Sequence, residues 1–367
     1  MSLIKLNNLT GNISSNDSTA YVADKISLEI EKDSTIGILG ESGSGKTQLA
    51  MTIAGLNIAH YKMESGTIEY AFDDLDPFKV TSNKSDFDSN EIPFSELSEK
   101  LKKDKIYGNK IGIMFQDPGK SLNPFWTIGR HVEEIILTKD SSKKQNYETR
   151  KNDIFKALKL DVTFDKRYPN QLSGGQQQRV VIALVLLSEP DIIIADEVAT
   201  GLDASVKREL LDYFLYVKNH TKSSLLIISH DIGLLTKISD RVILMYKGAA
   251  IQSLDADIIK SVILVTQFYN SPFFKSNDDL KNKINSDNDF DSISKELHPY
   301  LKGLLRSHIF KVPLSGDIPD PKKRTGNKCP FTDRCSDSSD ECEESFPNLK
   351  LKNHGWVRCF NFDENNG

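Results

Sequence analysis

The stretch "GESGSGKT", residues 40–47, has the spacing G-x-x-x-x-G-K-[ST]. Glycines at these positions let successive backbone N–H groups turn inward around phosphate oxygens. Lys46 adds a point charge for the β- and γ-phosphates, and the Thr47 hydroxyl can ligate Mg²⁺. An ordinary glycine turn is the bland alternative. The context argues otherwise, because "TIGIL" (35–39) reads as a short buried strand and "QLAMTIAGL" (48–56) has helical apolar spacing. Gly40, Glu41, Ser42, Gly43, Ser44, Gly45, Lys46 and Thr47 are therefore the candidate nucleotide site. Such a site needs a carboxylate from the end of another strand, and "IIIADE" offers two. Asp196 would hold Mg²⁺ through water, and Glu197 would orient or deprotonate the attacking water. Acidic strand ends are common, so this pair gains meaning only beside the Lys46 loop.

A second anion-binding feature follows from "LSGGQQQR" (172–179), where Ser173, Gly174, Gly175 and Gln176 open a helix. One fold needs one phosphate cradle per nucleotide, so a second suggests service to a nucleotide held by another molecule. Further on, His230 in "IISHD" ends a buried strand; by itself it would read as an ordinary strand-end histidine. Taken in this order, the motifs resemble the ATP-binding subunits of ABC transporters over roughly residues 3–253. The resemblance implies an α/β fold: an ABC-type P-loop nucleotide-binding domain with a RecA-like core, an antiparallel β subdomain and an α-helical subdomain. It implies ATP and Mg²⁺ as cofactors, Gly40–Thr47 as the Walker A loop, and Asp196 and Glu197 as the Walker B pair with Glu197 catalytic. Gln116 in "MFQDP" becomes the Q-loop glutamine, touching Mg²⁺ and the transmembrane partner. Asp203 in "GLDAS" is the D-loop aspartate, and His230 the switch histidine near the γ-phosphate. The family usually has Pro-Thr after the catalytic carboxylate, where this chain has Val198-Ala199, and Gly201 stands where Ala or Ser is usual. Tyr21 is the candidate for stacking on adenine, with Val22 or Ala23 as the alternative.

"FQDPGKSLNP" (115–124) narrows the resemblance to the oligopeptide, dipeptide and nickel importer ATPases. In that branch an HPY motif, a proline-glycine stretch and spaced cysteines follow the nucleotide domain. Here "HPYLKGLL" (298–305), "KVPLSGDIPDP" (311–321) and four cysteines follow in that order. Cys329, Cys335, Cys342 and Cys359 are the only cysteines in the chain. Their spacing, C-x5-C-x6-C-x16-C, lacks the C-x2-C knuckle typical of structural zinc. Four thiolates on loops suit a [4Fe–4S] cluster, which the family tail carries. Zinc, or free thiols or disulfides, stay open as alternatives. His354 is a stray candidate ligand. The tail has little apolar material, so a metal centre would serve as a staple.

Positioning these groups takes a largely parallel sheet covered on both faces, with short apolar strands at 110–115, 191–197, 224–231 and 241–248 between helical stretches such as roughly 127–160. Residues 73–104, rich in Asp, Ser, Asn and Lys, read as a surface excursion that is partly loop. The expected organisation is an ATP-binding domain at 1–253, a variable linker at 254–297 and a C-terminal extension at 298–367. The Asn/Asp/Lys/Ser bias of 275–296 marks the flexible part, which is expected to separate the tail from the ATP site.

A formal charge of −5 gives no sign of a nucleic-acid-binding surface. The polar start "MSLIKLNNLTGNISSNDS" leaves no room for a secretory leader, and the best apolar run, Val180–Leu187, falls short of the ~18 residues a membrane span needs. The resemblance thus implies a peripheral protein at the cytoplasmic face of the membrane. Its partners would be a sister ATPase in a heterodimer, in preference to a homodimer, two permease subunits and, indirectly, an extracytoplasmic solute-binding protein. A soluble ABC ATPase of DNA repair or translation is the competing class. It would show coiled-coil insertions or two tandem cassettes, and this chain has one cassette and no long heptad run.

Overall fold

Strand alternation decides which residues of this chain meet. The structure, a computed structural model, describes residues 1–15, 18–56, 61–82, 90–138, 147–202, 204–269, 294–317 and 328–362. β1 (Ser2–Ser15) and β2 (Ser18–Glu31) pair antiparallel, and β3 (Thr35–Leu39) runs into the Gly40 loop. β4 (Tyr61–Tyr70), β5 (Phe78–Thr81) and β6 (Glu91–Pro93) continue the β1–β2 sheet outward. β7 (Ile111–Met114), β8 (Ile192–Asp196), β9 (Ser224–Ser229) and β10 (Arg241–Tyr246) lie parallel with β3, in the order β10-β3-β9-β8-β7. β11 (Ala249–Asp255) turns back antiparallel on β10.

Every residue of β3, β8 and β9 is buried, as a parallel sheet covered on both faces requires. The period of two then sorts side chains into two cores. Leu226 and Ile228 face β1, β2, β4 and the helix Lys46–Ile53. Leu225 and Ile227 face the helices Gly174–Leu187, Ala204–His220 and Ile232–Ile238. The helices Ile128–Thr138 and Tyr147–Ala157 are inserted between β7 and β8. The α/β cassette expected from the motifs is the fold that forms.

Two expectations are corrected. Residues 73–104 are not a surface excursion where they are described: β5, β6 and the helix Leu97–Lys103 bury Phe78, Val80, Phe94, Leu97 and Leu101. The charged residues between them occupy the solvent face and dominate the composition. The linker assigned to 254–297 begins instead with the end of β11 and the helix Ala256–Tyr269, which buries Ile259, Val262 and Ile263 against the second core. Its Asn/Asp-rich continuation at 270–293 lies outside the described residues.

The extension packs on the same core. His298 caps the helix Pro299–Phe310, its Nδ1 accepting from Tyr300 N at 3.1 Å, and burial pushes its pKa down to about 3, so the ring is a neutral acceptor. Tyr300 and Phe331 stack edge-on with Tyr246 at the end of β10, at 4.7 and 5.2 Å between ring centres. Burying a side chain such as Phe331 is worth roughly 1.5–3 kcal/mol. β12 (Lys350–Lys352) and β13 (Gly355–Val357) form a hairpin, and β13 pairs with β11. There, a Cβ at Gly355 would lie 1.9 Å from the Ser253 carbonyl, so only glycine fits. The tail is thus joined to the nucleotide domain through its sheet, which corrects the expected separation.

Candidate nucleotide site

The loop after β3 turns through Gly43 (φ 81°) and Gly45 (φ 97°), backbone angles that L side chains resist. A Cβ at Gly45 would meet the Val22 carbonyl at 2.5 Å, whereas one at Gly43 would meet nothing within 4 Å. The loop is therefore pressed on β2 from one side and open on the other. Gly45 caps the helix Lys46–Ile53 with no side-chain bond to its first N–H groups. Lys46 is buried, and its Nζ donates to the carbonyls of Gly40 at 2.8 Å and Glu41 at 2.9 Å. Burial lowers its pKa, against the pull of Glu197 and Asp196.

At the end of β8, the Thr47 hydroxyl donates to Asp196 Oδ1 at 3.0 Å. Burial raises the Asp196 pKa, with that hydrogen bond opposing. Glu197 takes the left-handed backbone (φ 50°), a costly conformation for a residue with a side chain. The turn swings its carboxylate across toward β9. Oε2 accepts from His230 Nδ1 at 2.8 Å and from the Thr200 hydroxyl at 2.8 Å, while Oε1 stands 3.7 Å from Lys46 Nζ. Burial alone would raise Glu197; the bonds from His230 and Thr200, with the charges of His230 and Lys46, hold it below the usual range. His230 is raised, chiefly by its bond to Glu197.

Lys46, Thr47, Glu197, Thr200 and His230 line one cleft of about 420 Å³ that also takes in Ala20, Val22 and Gln116, and Asp196 stands behind it on Thr47. Among the described residues, the buried Ser44 Oγ and Gln48 Nε2 have no hydrogen-bond partner. Unpaired donors beside a buried ammonium, an open glycine turn and two carboxylates fit a polyphosphate with a divalent cation. The Thr47 hydroxyl and the Asp196 carboxylate carry the oxygens that could hold such a cation.

Tyr21 is not at the cleft. It alternates with Ala20 and Val22 on β2, and its hydroxyl donates to Glu64 at 3.1 Å on β4, beyond the intervening β1. This corrects the adenine-stacking expectation; of the alternatives weighed, Val22 lines the cleft. Asp203 lies outside the described residues. Ser173, Gly174, Gly175 and Gln176 open the helix Gly174–Leu187 with a reciprocal cap and are not among the residues lining the Lys46 cleft. Gln176 N donates to Ser173 Oγ at 3.3 Å, and Ser173 N to Gln176 Oε1 at 3.0 Å. Such caps contribute about 1 kcal/mol. Sequence reasoning missed Thr200, the third group on Glu197, because a Thr three residues on carries no distinctive pattern.

In the tail, Cys329, Cys342 and Cys359 are buried, Cys335 is half-buried, and all four are free thiols. Burial pushes Cys329 up to about 12 and Cys359 to about 11. Among the described residues, no three His, Cys, Asp or Glu side chains form a set that could hold a metal ion. The expected four-cysteine site is therefore not assembled in this arrangement. His354 faces Asp255 at 3.5 Å.

Residues 23–200 match the ABC transporter family. The chain is 29% identical to the oligopeptide transport ATP-binding protein AppD of Bacillus subtilis, over 99% of this chain and 97% of that protein. It is 27% identical to the dipeptide transport ATP-binding protein DppD of Escherichia coli, covering 96% and 94%. The dimeric, post-hydrolysis structure of the ATP-binding cassette MJ0796, bound to ADP and Pi, superposes with a TM-score of 0.53 at 26% identity, over 69% of this chain and 98% of that one. No helix among the described residues is long and apolar enough to cross a membrane. With the phosphate loop, the carboxylate pair and the histidine in one cleft, the chain belongs to the ABC transporter family and is one of its ATPases.

Proposed function

We propose that this chain is the ATP-hydrolysing subunit of an importer for oligopeptides, dipeptides or a related solute. It would work at the cytoplasmic face of the membrane beneath two permease subunits, paired with a sister ATPase and supplied by an extracytoplasmic solute-binding protein. The observation that carries this reading is the split between two places. Lys46, Thr47, Glu197 and His230 line one cleft, with Asp196 bonded to Thr47, while Ser173 and Gly174 are not among its lining residues. The near full-length likeness to peptide-transport ATP-binding proteins supports the cargo class.

Bound Mg²⁺ would neutralise phosphate charge. Lys46 and the loop N–H groups hold the β- and γ-phosphates, and Thr47 and Asp196 hold the cation. Glu197, kept ionised by His230 and Thr200, is poised to accept a proton from the attacking water. His230 holds the carboxylate in register and carries positive charge beside the γ-phosphate. Gln116 lines the cleft and heads the segment 116–124, just beyond which Phe125 is 86% exposed; this is the surface offered to a permease. The partner's counterpart of Ser173 closes the cleft.

Glu197→Gln, expressed with the permease pair, tests this. ATP-analogue binding should persist while hydrolysis and labelled-peptide uptake fall by about 10³-fold. Full turnover in that variant rejects Glu197 as the base, and uptake of a non-peptide solute alone rejects the cargo class.

For the tail, the proposed occupant of Cys329, Cys335, Cys342 and Cys359 is a [4Fe–4S] cluster, with zinc second. Its support is proximity: Cys329 N donates to the Cys342 carbonyl at 2.8 Å, and the other three thiols all disfavour ionisation of Cys329. Binding requires the thiols to turn toward a common centre. Anaerobically purified protein should be brown and bleach on any Cys→Ser change. Colourless protein with one tight zinc per chain, or with four titratable thiols, overturns the cluster.

A further inference from the structure

Glu41, the second residue of the phosphate loop, is gripped from three directions. Its carbonyl accepts from Lys46 Nζ at 2.9 Å, and its N–H donates to the Tyr300 hydroxyl at 2.9 Å. Its carboxylate takes a two-pronged bond from Arg334, Nη1 to Oε2 at 2.7 Å and Nη2 to Oε1 at 3.3 Å. Two of these three holds come from the extension, across more than 250 residues of sequence. Arg334 is itself fixed on all sides. Its side chain is 5% exposed, Nε donates to the Ser315 carbonyl at 2.8 Å, and Nη1 also reaches the Tyr246 hydroxyl at 3.4 Å.

A guanidinium fork of this kind holds a carboxylate in one plane and one register, which a lysine could not do. It also cancels a charge. Glu41 adjoins the turn that receives an anionic polyphosphate, so an unpaired carboxylate there would oppose the ligand electrostatically. The buried ion pair therefore supplies both shape and neutrality to the loop. Neither effect needs Arg334 to touch the nucleotide.

We propose that Arg334 is a positioning residue for ATP: it neutralises and orients Glu41, so that the docked extension completes the phosphate loop. The proposal rests on the nucleotide-site reading above. By reciprocity, nucleotide binding would also tighten the tail's hold on the domain.

The test is the affinity of the full-length chain for a fluorescent ATP analogue in three variants. Arg334→Ala should weaken binding about tenfold, the scale of a typical coupling between sites. Adding Glu41→Gln to it should bring the affinity back to within about threefold of wild type, because the offending charge is gone. Lys328→Ala, which breaks the surface pairs to Asp333 and Glu343 in the same tail, should change nothing. An Arg334→Ala affinity within about twofold of wild type overturns the proposal, and so does a double variant no better than the single. Should Arg334→Ala not fold, Arg334→Lys replaces it: the charge is kept and the two-pronged hold is lost, so binding should weaken about threefold; no change overturns the orienting role, and a tenfold or larger loss overturns the electrostatic one. Lys46→Ala, measured alongside, separates the two readings. If it alone abolishes binding, the nucleotide site stands and the role of Arg334 falls.

Discussion

The helices Lys46–Ile53, capped by Gly45, and Gly174–Leu187 both have glycine at their start and both present backbone N–H groups, yet they are built for opposite situations. The first has no side-chain cap, and the groups around it are a buried ammonium, a carboxylate pair and a half-exposed histidine. The second caps itself through Ser173 and Gln176. A Cβ added at Gly174 or Gly175 would meet nothing within 4 Å. Ser173 Oγ spends a lone pair on Gln176 N, which leaves its proton free to donate outward. One terminus is a site with its own walls; on the proposed function, the other is half a site that a second molecule would complete. A cassette so divided would make hydrolysis depend on assembly, which suits a machine that must couple ATP use to a permease.

The largest effect should come from breaking the first terminus. Among the described residues, Lys46 is the only ammonium lining the cleft, and a hydrogen bond to a charged group is worth about 1.5–3 kcal/mol. Lys46→Ala should therefore weaken ATP-analogue binding by about 100-fold, read by equilibrium titration. An affinity kept within a factor of about three would mean that the loop amides alone carry the phosphates.

Gly174→Asp is the matching change at the second terminus. There is room for the side chain, and an acidic residue in the first helical turn favours the helix, so the fold should not suffer. The added charge repels only a phosphate brought to that end. ATP-analogue binding by the isolated chain should stay within about twofold, while hydrolysis by the assembled dimer falls about 100-fold. An equal loss of binding would place Ser173 at its own chain's nucleotide and end the contrast between the two termini. Mixing Lys46→Ala with Gly174→Asp sharpens it further. A homodimer would regain one intact composite site and up to about half of its turnover; a heterodimer with a sister chain would regain none.

What was legible in the sequence was whatever depends on neighbours along the chain. The glycine loop, the acidic end of β8, the histidine after β9 and the buried strands all follow from local pattern. Residue choice within a strand was less secure. Tyr21 and Val22 are adjacent, and only the pairing of β2 with β1 and β11 decides which of them faces the loop. The helix Ala256–Tyr269 has an apolar repeat at helical spacing, but the Asn/Asp run after it coloured the whole segment as linker. Burial in 73–104 was hidden likewise, by charges alternating with Phe78, Val80 and Leu97. The Arg334–Glu41 pair spans 293 positions. No local pattern announces such a contact, although the HPY motif did mark a place where the extension docks.

The smallest expected effect concerns pH and tests whether the first terminus is electrostatically complete. The His230 pKa is raised, so its share of stability is fully present below its unfolded value near 6.5 and is lost as pH climbs through the higher folded value. The Glu197 pKa is lowered, so its share is present above its unfolded value and lost as pH falls through the lower folded one. The pair should therefore stabilise the fold between those two folded values, and the mildly acidic range lies inside that window. His230 is half exposed, so solvent screening limits the gain to about 1 kcal/mol or less. Comparing denaturant midpoints of wild type and His230→Gln from pH 5 to pH 9 should show a gap near pH 6 that closes as the imidazole deprotonates. At the second terminus no titratable partner faces Ser173 or Gly174 through a hydrogen bond or ion pair among the described residues, so Gly174→Ala should show no such closing gap. A gap for His230→Gln that is flat, or that widens with rising pH, would mean that the imidazole holds Glu197 as a neutral donor. The positive charge assigned to it beside the γ-phosphate would then have to come from Lys46 alone.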